Sequence, residues 1–442
     1  MKHILTYWHF ALLIGCLTNC CPAAEKADGT PGSAKVDIRK VDGRWQLYVN
    51  HQPFYIKGAG LEHGDQEKLA AHGGNSFRTW STGNGRQILD RALKNGLFVT
   101  MGLDVAHERH GFDYSDTNAV ANQLARIKSE VLKYKDHPAL LMWDIGNELN
   151  LNATNPKVWD AVNDISKMIH QMDPNHPTTT SLAGMNKEVV DQIKARAPDL
   201  DLLAVQMYAD IVNLPRYLRT TGWNGPYIVT EWGATGHWEV GQTAWGAPIE
   251  DDSTTKAEFY RKRYEIAIAA DTNQCLGSYV FLWGQKQERT PTWYGMFLPT
   301  GEETETVDVL HGAWTGQWPE ARSPQLKGLW LTGKTARDNV HLQAGQTYPA
   351  KVLVQAFDSS PLDYSWEIME ESSAKTAGGD FESQPRRLSG LIAKQPDGTA
   401  NVQAPVKAGA YRLFAYVITR TGKAAYANIP FYVDAETAAV HR

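Results

Sequence analysis

The chain has 442 residues, too many for one ordinary domain and enough for a large domain beside a small one. Its 44 basic and 49 acidic residues nearly cancel to a net charge of -5, and no long basic run occurs, which argues against a nucleic-acid partner. The 15 Trp and 18 Tyr supply flat apolar faces; most serve a core, and the rest suit stacking on the C–H faces of sugar rings.

Residues 1–24 read as an export signal: Lys2 and His3, an apolar stretch to Ile14, then small residues around Ala23 and Ala24. The stretch is too short to span a membrane as a helix. Leu13-Ile14-Gly15-Cys16 resembles a bacterial lipobox, which would place lipid on Cys16 and tether the protein to a membrane; plain cleavage near Ala24 is the alternative. Either way the protein is expected to be exported: periplasmic, lipid-anchored at the cell surface, or secreted. Cys16, Cys20 and Cys21 lie in or beside this leader, so the folded part holds only Cys275 and no internal disulfide. Cys275 precedes an apolar strand and is expected to pack in the core. Residues 25–35 are Ala, Gly and Pro rich and polar, as in a linker.

The main domain is expected over 36–318. It opens with a small hairpin whose alternation turns at Asp42-Gly43 and Asn50-His51. Short apolar strands are then expected at 54–60, 75–81, 97–103, 139–145, 178–183, 202–208, 227–231 and 277–283. Helical patterns lie between them: Val120, Leu124, Ile127 and Val131 step by 4, 3 and 4, as do Val158, Val162, Ile165 and Ile169. Eight strands alternating with helices make a (β/α)8 TIM barrel. A doubly wound sheet is the alternative, but it lacks a Gly-rich phosphate turn here. After Trp318-Pro319 the pattern changes. Residues 327–435 carry alternating strands at 350–357, 364–369, 410–418 and 424–433 between Gly, Pro, Asp and Ser turns, as in an immunoglobulin-like β-sandwich. Its expected job is to pack against the barrel, with a glycan-binding module as the alternative.

Two of the barrel runs empty into a glutamate. Ala139-Leu140-Leu141-Met142 leads into Trp143-Asp144-Ile145-Gly146-Asn147-Glu148, and Tyr227-Ile228-Val229-Thr230 ends in Glu231. TIM-barrel active sites lie at the C-terminal strand ends, which places both carboxyls at one mouth. A carboxyl pair across a sugar is what glycosidic cleavage requires. Either Glu alone would pass for a solvated loop residue.

These residues are similar to those of retaining clan-A glycoside hydrolases, which share the barrel, an Asn-Glu pair closing strand four and a Glu closing strand seven. The resemblance covers about residues 54–316. It implies Glu148 as acid/base and Glu231 as nucleophile. It further implies Asn147 on the sugar 2-hydroxyl, Tyr208 orienting Glu231, Arg78 beneath it, and Trp283 as the floor of the reacting subsite. The stretches Glu231-Trp232-Gly233-Ala234-Thr235-Gly236-His237-Trp238 and Thr292-Trp293-Tyr294-Gly295-Met296-Phe297 look more narrowly like glycoside hydrolase family 158. So do Val307-Asp308-Val309-Leu310 and Trp314-Thr315-Gly316. That family implies endo-cleavage of β-1,3-glucan; family 2 and family 5 barrels share the core.

Trp232, Trp238, Trp245 and Trp293 fall on loops after strands seven and eight, where sugar platforms are expected. His107-Glu108-Arg109-His110 could suggest a metal, but its histidines share no helix face; it reads as cleft rim or as a solvated loop. Retaining hydrolysis needs no metal and no cofactor. The expected partner is thus a polysaccharide or oligosaccharide substrate, with no obligate protein partner. Alternatives are an exo-acting β-glycosidase of family 2 or 5 type, a β-glucan transglycosylase, and a surface glycan-binding protein on an inactive barrel.

Overall fold

The computed structural model describes residues 32–359, 361–375 and 379–435; the stretch expected to be an export signal, with Cys16, Cys20 and Cys21, lies outside them. The chain opens with three antiparallel strands, β1 (Val36–Val41), β2 (Arg44–Val49) and β3 (Gln52–Phe54). Both turn signals therefore make a reversal, where a two-stranded hairpin was expected. Asp42, Asn50 and His51 all take positive φ there. This small sheet closes the bottom of the barrel. Val36, Leu47 and Val49 share a core with Ile56, Leu141, Leu202, Ile228 and Leu276, and the Trp45 amide donates to Asn273 O at 2.7 Å.

Eight parallel strands form the closed barrel, one for each expected run. They are β4 (Ile56–Gly60), β5 (Ser76–Arg78), β6 (Phe98–Leu103), β7 (Leu140–Asn147), β8 (Thr178–Ala183), β9 (Leu203–Gln206), β10 (Tyr227–Glu231) and β11 (Cys275–Val280). Around them lie α1 (Gln66–Ala71), α2 (Gly85–Lys94), α3 (Thr117–Tyr134), α4 (Lys157–Met172), α5 (Lys187–Arg196), α6 (Leu214–Thr221) and α7 (Ser253–Arg263). The helical stripes behave as their spacing predicts. On α4, Val158, Val162, Ile165 and Ile169 are buried against the barrel; on α3, Ile127 and Val131 are. Asp116 and Asp252 start α3 and α7 by accepting two backbone amides each. Cys275 is buried and unpaired in the core.

A two-residue strand, β12 (Glu303–Thr304), and helix α8 (Glu305–Thr315) close the barrel part. The sandwich follows with β13 (Gln325–Leu331), β14 (Val340–Gln343), β15 (Thr347–Gln355), β16 (Leu362–Glu370), β17 (Arg387–Leu388), β18 (Ile392–Lys394), β19 (Thr399–Gln403), β20 (Gly409–Thr419) and β21 (Lys423–Asp434). One sheet runs β13-β15-β19-β18, and the other β12-β21-β20-β16-β17 with β14 also on β21. A strand from the barrel part thus completes a sandwich sheet, which an expected boundary near 318 does not anticipate. The joint is polar as well as apolar. Lys423 Nζ lies 2.7 Å from Glu303 and 2.6 Å from Asp308, while Lys256 Nζ donates to Glu250, Thr292 O, Trp293 O and Tyr426 OH.

Candidate active site

The interior of the barrel mouth is set by strand alternation. On β5, Ser76 and Arg78 point inward and Phe77 outward, and the alternation carries on to Trp80 past the strand end. Gly60 makes this possible, since a Cβ there would come within 2.8 Å of the Trp80 ring. On β7 strict alternation would bring only Asp144 inward and turn Asn147 away. Instead the register against β8 slips by one residue between Asp144 and Asn147, and Gly146 takes a φ of +75°. Asp144 and Asn147 therefore both face Arg78, at 3.0 Å each. Glu148 follows with a φ of 52° and donates its amide to Ser181 O. A similar slip between Val229 and Glu231 brings Thr230 and Glu231 both into the barrel.

Four donors hold the Glu231 carboxylate. Oε1 receives Arg78 Nη1 at 3.0 Å, Trp80 Nε1 at 2.8 Å and Gln206 Nε2 at 3.1 Å, and Oε2 receives Tyr208 OH at 2.9 Å. The surroundings suit a fixed negative charge. Burial, then the Glu231 charge, raise the Tyr208 hydroxyl well above its ordinary value, so it stays a donor. Asn147 Oδ1 is occupied by Arg78 and by Gln206 at 2.6 Å, which leaves its NH2 group for a ligand. His107 Nε2 donates to Asn147 O at 2.6 Å and steadies the same turn.

Glu148 is set differently. Its side chain lines the cavity at the barrel mouth, and among the described residues no side chain hydrogen-bonds its carboxyl. Burial, and then the negative charge of Glu231, push that carboxyl from 4.5 up to about 8. Burial is the larger cause, and local charge balance adds to it. Among the described residues Arg78 is the one cation paired with Asp144 and Glu231, and burial raises Asp144 as well. A third ionised carboxyl would add repulsion in a poorly hydrated place.

Both glutamates line a cavity of about 1360 Å³, above the roughly 300–1,000 Å³ usual for drug-sized ligands. Trp238 lines it with 53% of its surface exposed, its ring against Tyr208 at 5.5 Å. Glu239 fixes that loop by accepting the amides of Ala209 and Gly236. The other expected platforms are not platforms. Trp232 is wholly buried against Tyr260 and Tyr264, because the residue after the inward Glu231 turns outward toward α7. Trp293 is buried and donates to Thr235 O at 2.8 Å, bracing the loop from below. Trp245 packs on His341 and Tyr432 of the sandwich. Trp283 borders the cavity, but its ring is buried among His72, Phe297 and Trp314 and its Nε1 donates to Asp65 O. The tryptophan hydrogen-bonded to Glu231 is Trp80 instead, with Phe281 packed edge-on to it at 5.8 Å.

Sequence reasoning also missed Gln206. It closes an apolar run as Glu231 does, so the same strand-end rule could have found it. His107, Arg109 and His110 line the cavity rim, and Glu108 instead accepts the amides of Thr154 and Asn155. Among the described residues no three His, Cys, Asp or Glu side chains are grouped to hold a metal ion.

A (β/α)8 barrel carrying a proton-holding carboxyl and a four-donor carboxylate in one cleft has the layout of a glycoside hydrolase. Residues 40–264, half of the chain and both glutamates among them, match the family described as glycosyl hydrolases family 2, TIM barrel domain, and the chain belongs to that family. Over 200 residues it is 28% identical to a beta-galactosidase of Vibrio cholerae serotype O1, a stretch covering 40% of this chain and 19% of that protein. Over 131 residues it is 38% identical to mannan endo-1,4-beta-mannosidase F of Aspergillus clavatus, covering 25% of this chain and 30% of that one. The chain thus spans less than a third of the length of either relative. Bifidobacterium dentium beta-glucuronidase, solved with coumarin-3-O-glucuronide, shares the fold with a TM-score of 0.50 at 17% identity, over 64% of this chain and 49% of that one. The FMN-binding beta-glucuronidase from Facaelibacterium prausnitzii L2-6 does so with a TM-score of 0.50 at 13% identity, over 92% and 60%.

Proposed function

We propose that the chain is a retaining β-glycosidase acting on β-linked glucan, and in its finer reading an endo-β-1,3-glucanase. In the first step Glu231 attacks the anomeric carbon while the Glu148 carboxyl gives its proton to the departing glycosidic oxygen. The C–O bond breaks and a glycosyl ester forms on Glu231. In the second, the Glu148 carboxylate takes a proton from water, the oxygen of that water attacks the same carbon, and Glu231 leaves as carboxylate. Asn147, through its NH2 group, binds the sugar 2-hydroxyl. The observation that carries this reading is the opposite setting of the two carboxyls. Glu231 is held by four donors, whereas Glu148 faces the cleft with no side-chain hydrogen bond on its carboxyl among the described residues, and burial and the Glu231 charge push that carboxyl up to about 8.

The finer specificity rests on the family 158 likeness of the stretches around Trp232, Trp293 and Trp314, and a cleft of this size supports a chain substrate. The test incubates purified protein with laminarin, mixed-linkage glucan, cellulose, β-mannan, β-galactan and an aryl glucuronide, then sizes the early products. Oligosaccharides released first from laminarin are expected. Release from mannan, galactan or glucuronide alone would move the specificity toward that of the relatives, and longer products at high oligosaccharide concentration would show transfer. The reading includes export; lipid labelling of wild type, lost in Cys16→Ala, would establish the anchor.

A further inference from the structure

The sandwich reaches into the mouth of the barrel. Gly379, Asp380 and Phe381, from the connection between β16 and β17, line the same cavity as Glu148 and Glu231. Two anchors hold this short piece. Asp380 Oδ1 lies 3.5 Å from both Arg109 Nη2 and His110 Nε2, on the loop after β6. Glu382 is buried and accepts the Arg289 amide at 3.0 Å on each oxygen, with Ser372 Oγ at 2.6 Å. Arg289 lies on the loop after β11, so residues 380–382 link two separate loops of the barrel mouth.

Phe381 sits between those anchors with 88% of its surface exposed. Single exposed apolar residues are ordinary, so exposure alone decides nothing. The comparison with the other exposed aromatic rings does. Among the described residues these are Trp238, Trp318, Phe357 and Phe381. The Arg322 guanidinium covers both Trp318, at 3.7 Å, and Phe357, at 4.5 Å. Trp238 and Phe381 are the two that line the cavity. Phe381 packs on no ring or cation among the described residues, and the four donors on Glu231 are other side chains.

We infer that Phe381 is a sugar-stacking platform at a subsite beyond the reacting bond, with Asp380 beside it to accept a sugar hydroxyl, so that the sandwich supplies one wall of a cleft for an extended glycan chain. The inference rests on the glycosidase reading and deepens it. It assigns the second domain a part in chain recognition without making it a separate binding module.

The test compares Phe381→Ala and Phe381→Trp with wild type. Substrates are an aryl β-glucoside and the disaccharide and hexasaccharide of β-1,3-linked glucose. In parallel, calorimetry measures binding of the hexasaccharide in a Glu148→Gln background. Phe381→Ala is expected to raise KM and Kd for the hexasaccharide roughly tenfold, equivalent to about 1.4 kcal/mol. Turnover of the aryl glucoside and disaccharide should be unchanged, and Phe381→Trp should restore the hexasaccharide values. Equal losses on short and long substrates, or no change on either, would overturn the inference. A wild-type protein inert on every glycan fails the glycosidase reading instead, while the binding measurement still decides the role of Phe381.

Discussion

Arg78 Nη1 lies 3.0 Å from Glu231 Oε1, and the two side chains are only 1% and 8% exposed. The same guanidinium reaches Asp144 and Asn147 with its other nitrogen. Arg78→Met leaves two buried carboxylates without their cation, and should cost about 3–5 kcal/mol of stability in urea unfolding. Arg78→Lys keeps the charge but loses the fork. It should recover part of that stability while kcat remains depressed. Full activity in the lysine variant would show that charge alone suffices.

Tyr208→Phe removes the one side-chain donor that Glu231 Oε2 has among the described residues. A hydrogen bond to a charged group is worth about 1.5–3 kcal/mol, so kcat/KM should fall roughly ten- to a hundredfold with the fold unchanged by circular dichroism. Glu231→Ala should abolish turnover, and azide should restore it with an α-glycosyl azide as product. A β-azide product would contradict attack by Glu231.

The raised Glu148 carboxyl predicts a pH profile. The acid form is needed first, so kcat/KM should fall on the alkaline side with a midpoint near 8. Glu148→Gln should remove that limb. It should also lower kcat/KM by roughly 10²–10⁴ on glycans, and by less on aryl glycosides with good leaving groups. The sign for stability is the reverse of the usual carboxylate case. The folded state holds this proton more tightly than the unfolded chain does, so its contribution is complete below about pH 4.5 and is lost as pH rises toward 8. Thermal melts of Glu148→Gln should therefore lack part of the wild-type decline across that interval.

Trp232 and Trp238 are six residues apart and should respond in opposite ways. Trp238→Ala, at the cavity, should raise KM with little change in melting temperature. Trp232→Ala opens a hole under α7 and should cost about 3–5 kcal/mol, with KM unchanged in whatever folds.

Lys423 binds Glu303 and Asp308 at the joint between barrel and sandwich. Burial works to raise the Glu303 carboxyl, but His72 and Lys423 outweigh it and hold it below its usual range. Stability from this pairing is present above about pH 4.5 and lost as pH falls below it. Lys423→Ala should lower stability at pH 7 by about 3–5 kcal/mol and flatten the acid side of a melting-temperature profile.

Much of this was legible in the chain because a strand end is a local event. An apolar run stopping at Glu148 or Glu231 announces both the strand and the mouth of the barrel, and the eight runs and the helical stripes carry the fold. Gln206 obeys the same rule and went unread. Trp232 follows a strand end and so reads as a loop platform, but alternation carries one residue past Glu231 and turns its side chain outward into the core. The one-residue slips that bring Asn147 and Thr230 inward depend on neighbouring strands and leave no mark in their own segments beyond Gly146. Phe381 is 233 positions from Glu148, and only the docking of two domains brings it to the same cleft.

The short strand β12 has a consequence for how this architecture can be inherited. It covers β21 at Lys423 and Ala424, and β14 covers the same strand further along, from Phe431 to Asp434. A sandwich cut away at residue 318 would bare that edge and strand Lys423 without its acids, inviting aggregation. Recombination could transplant the module only with the barrel's last loop attached, so the two halves should melt in one calorimetric transition.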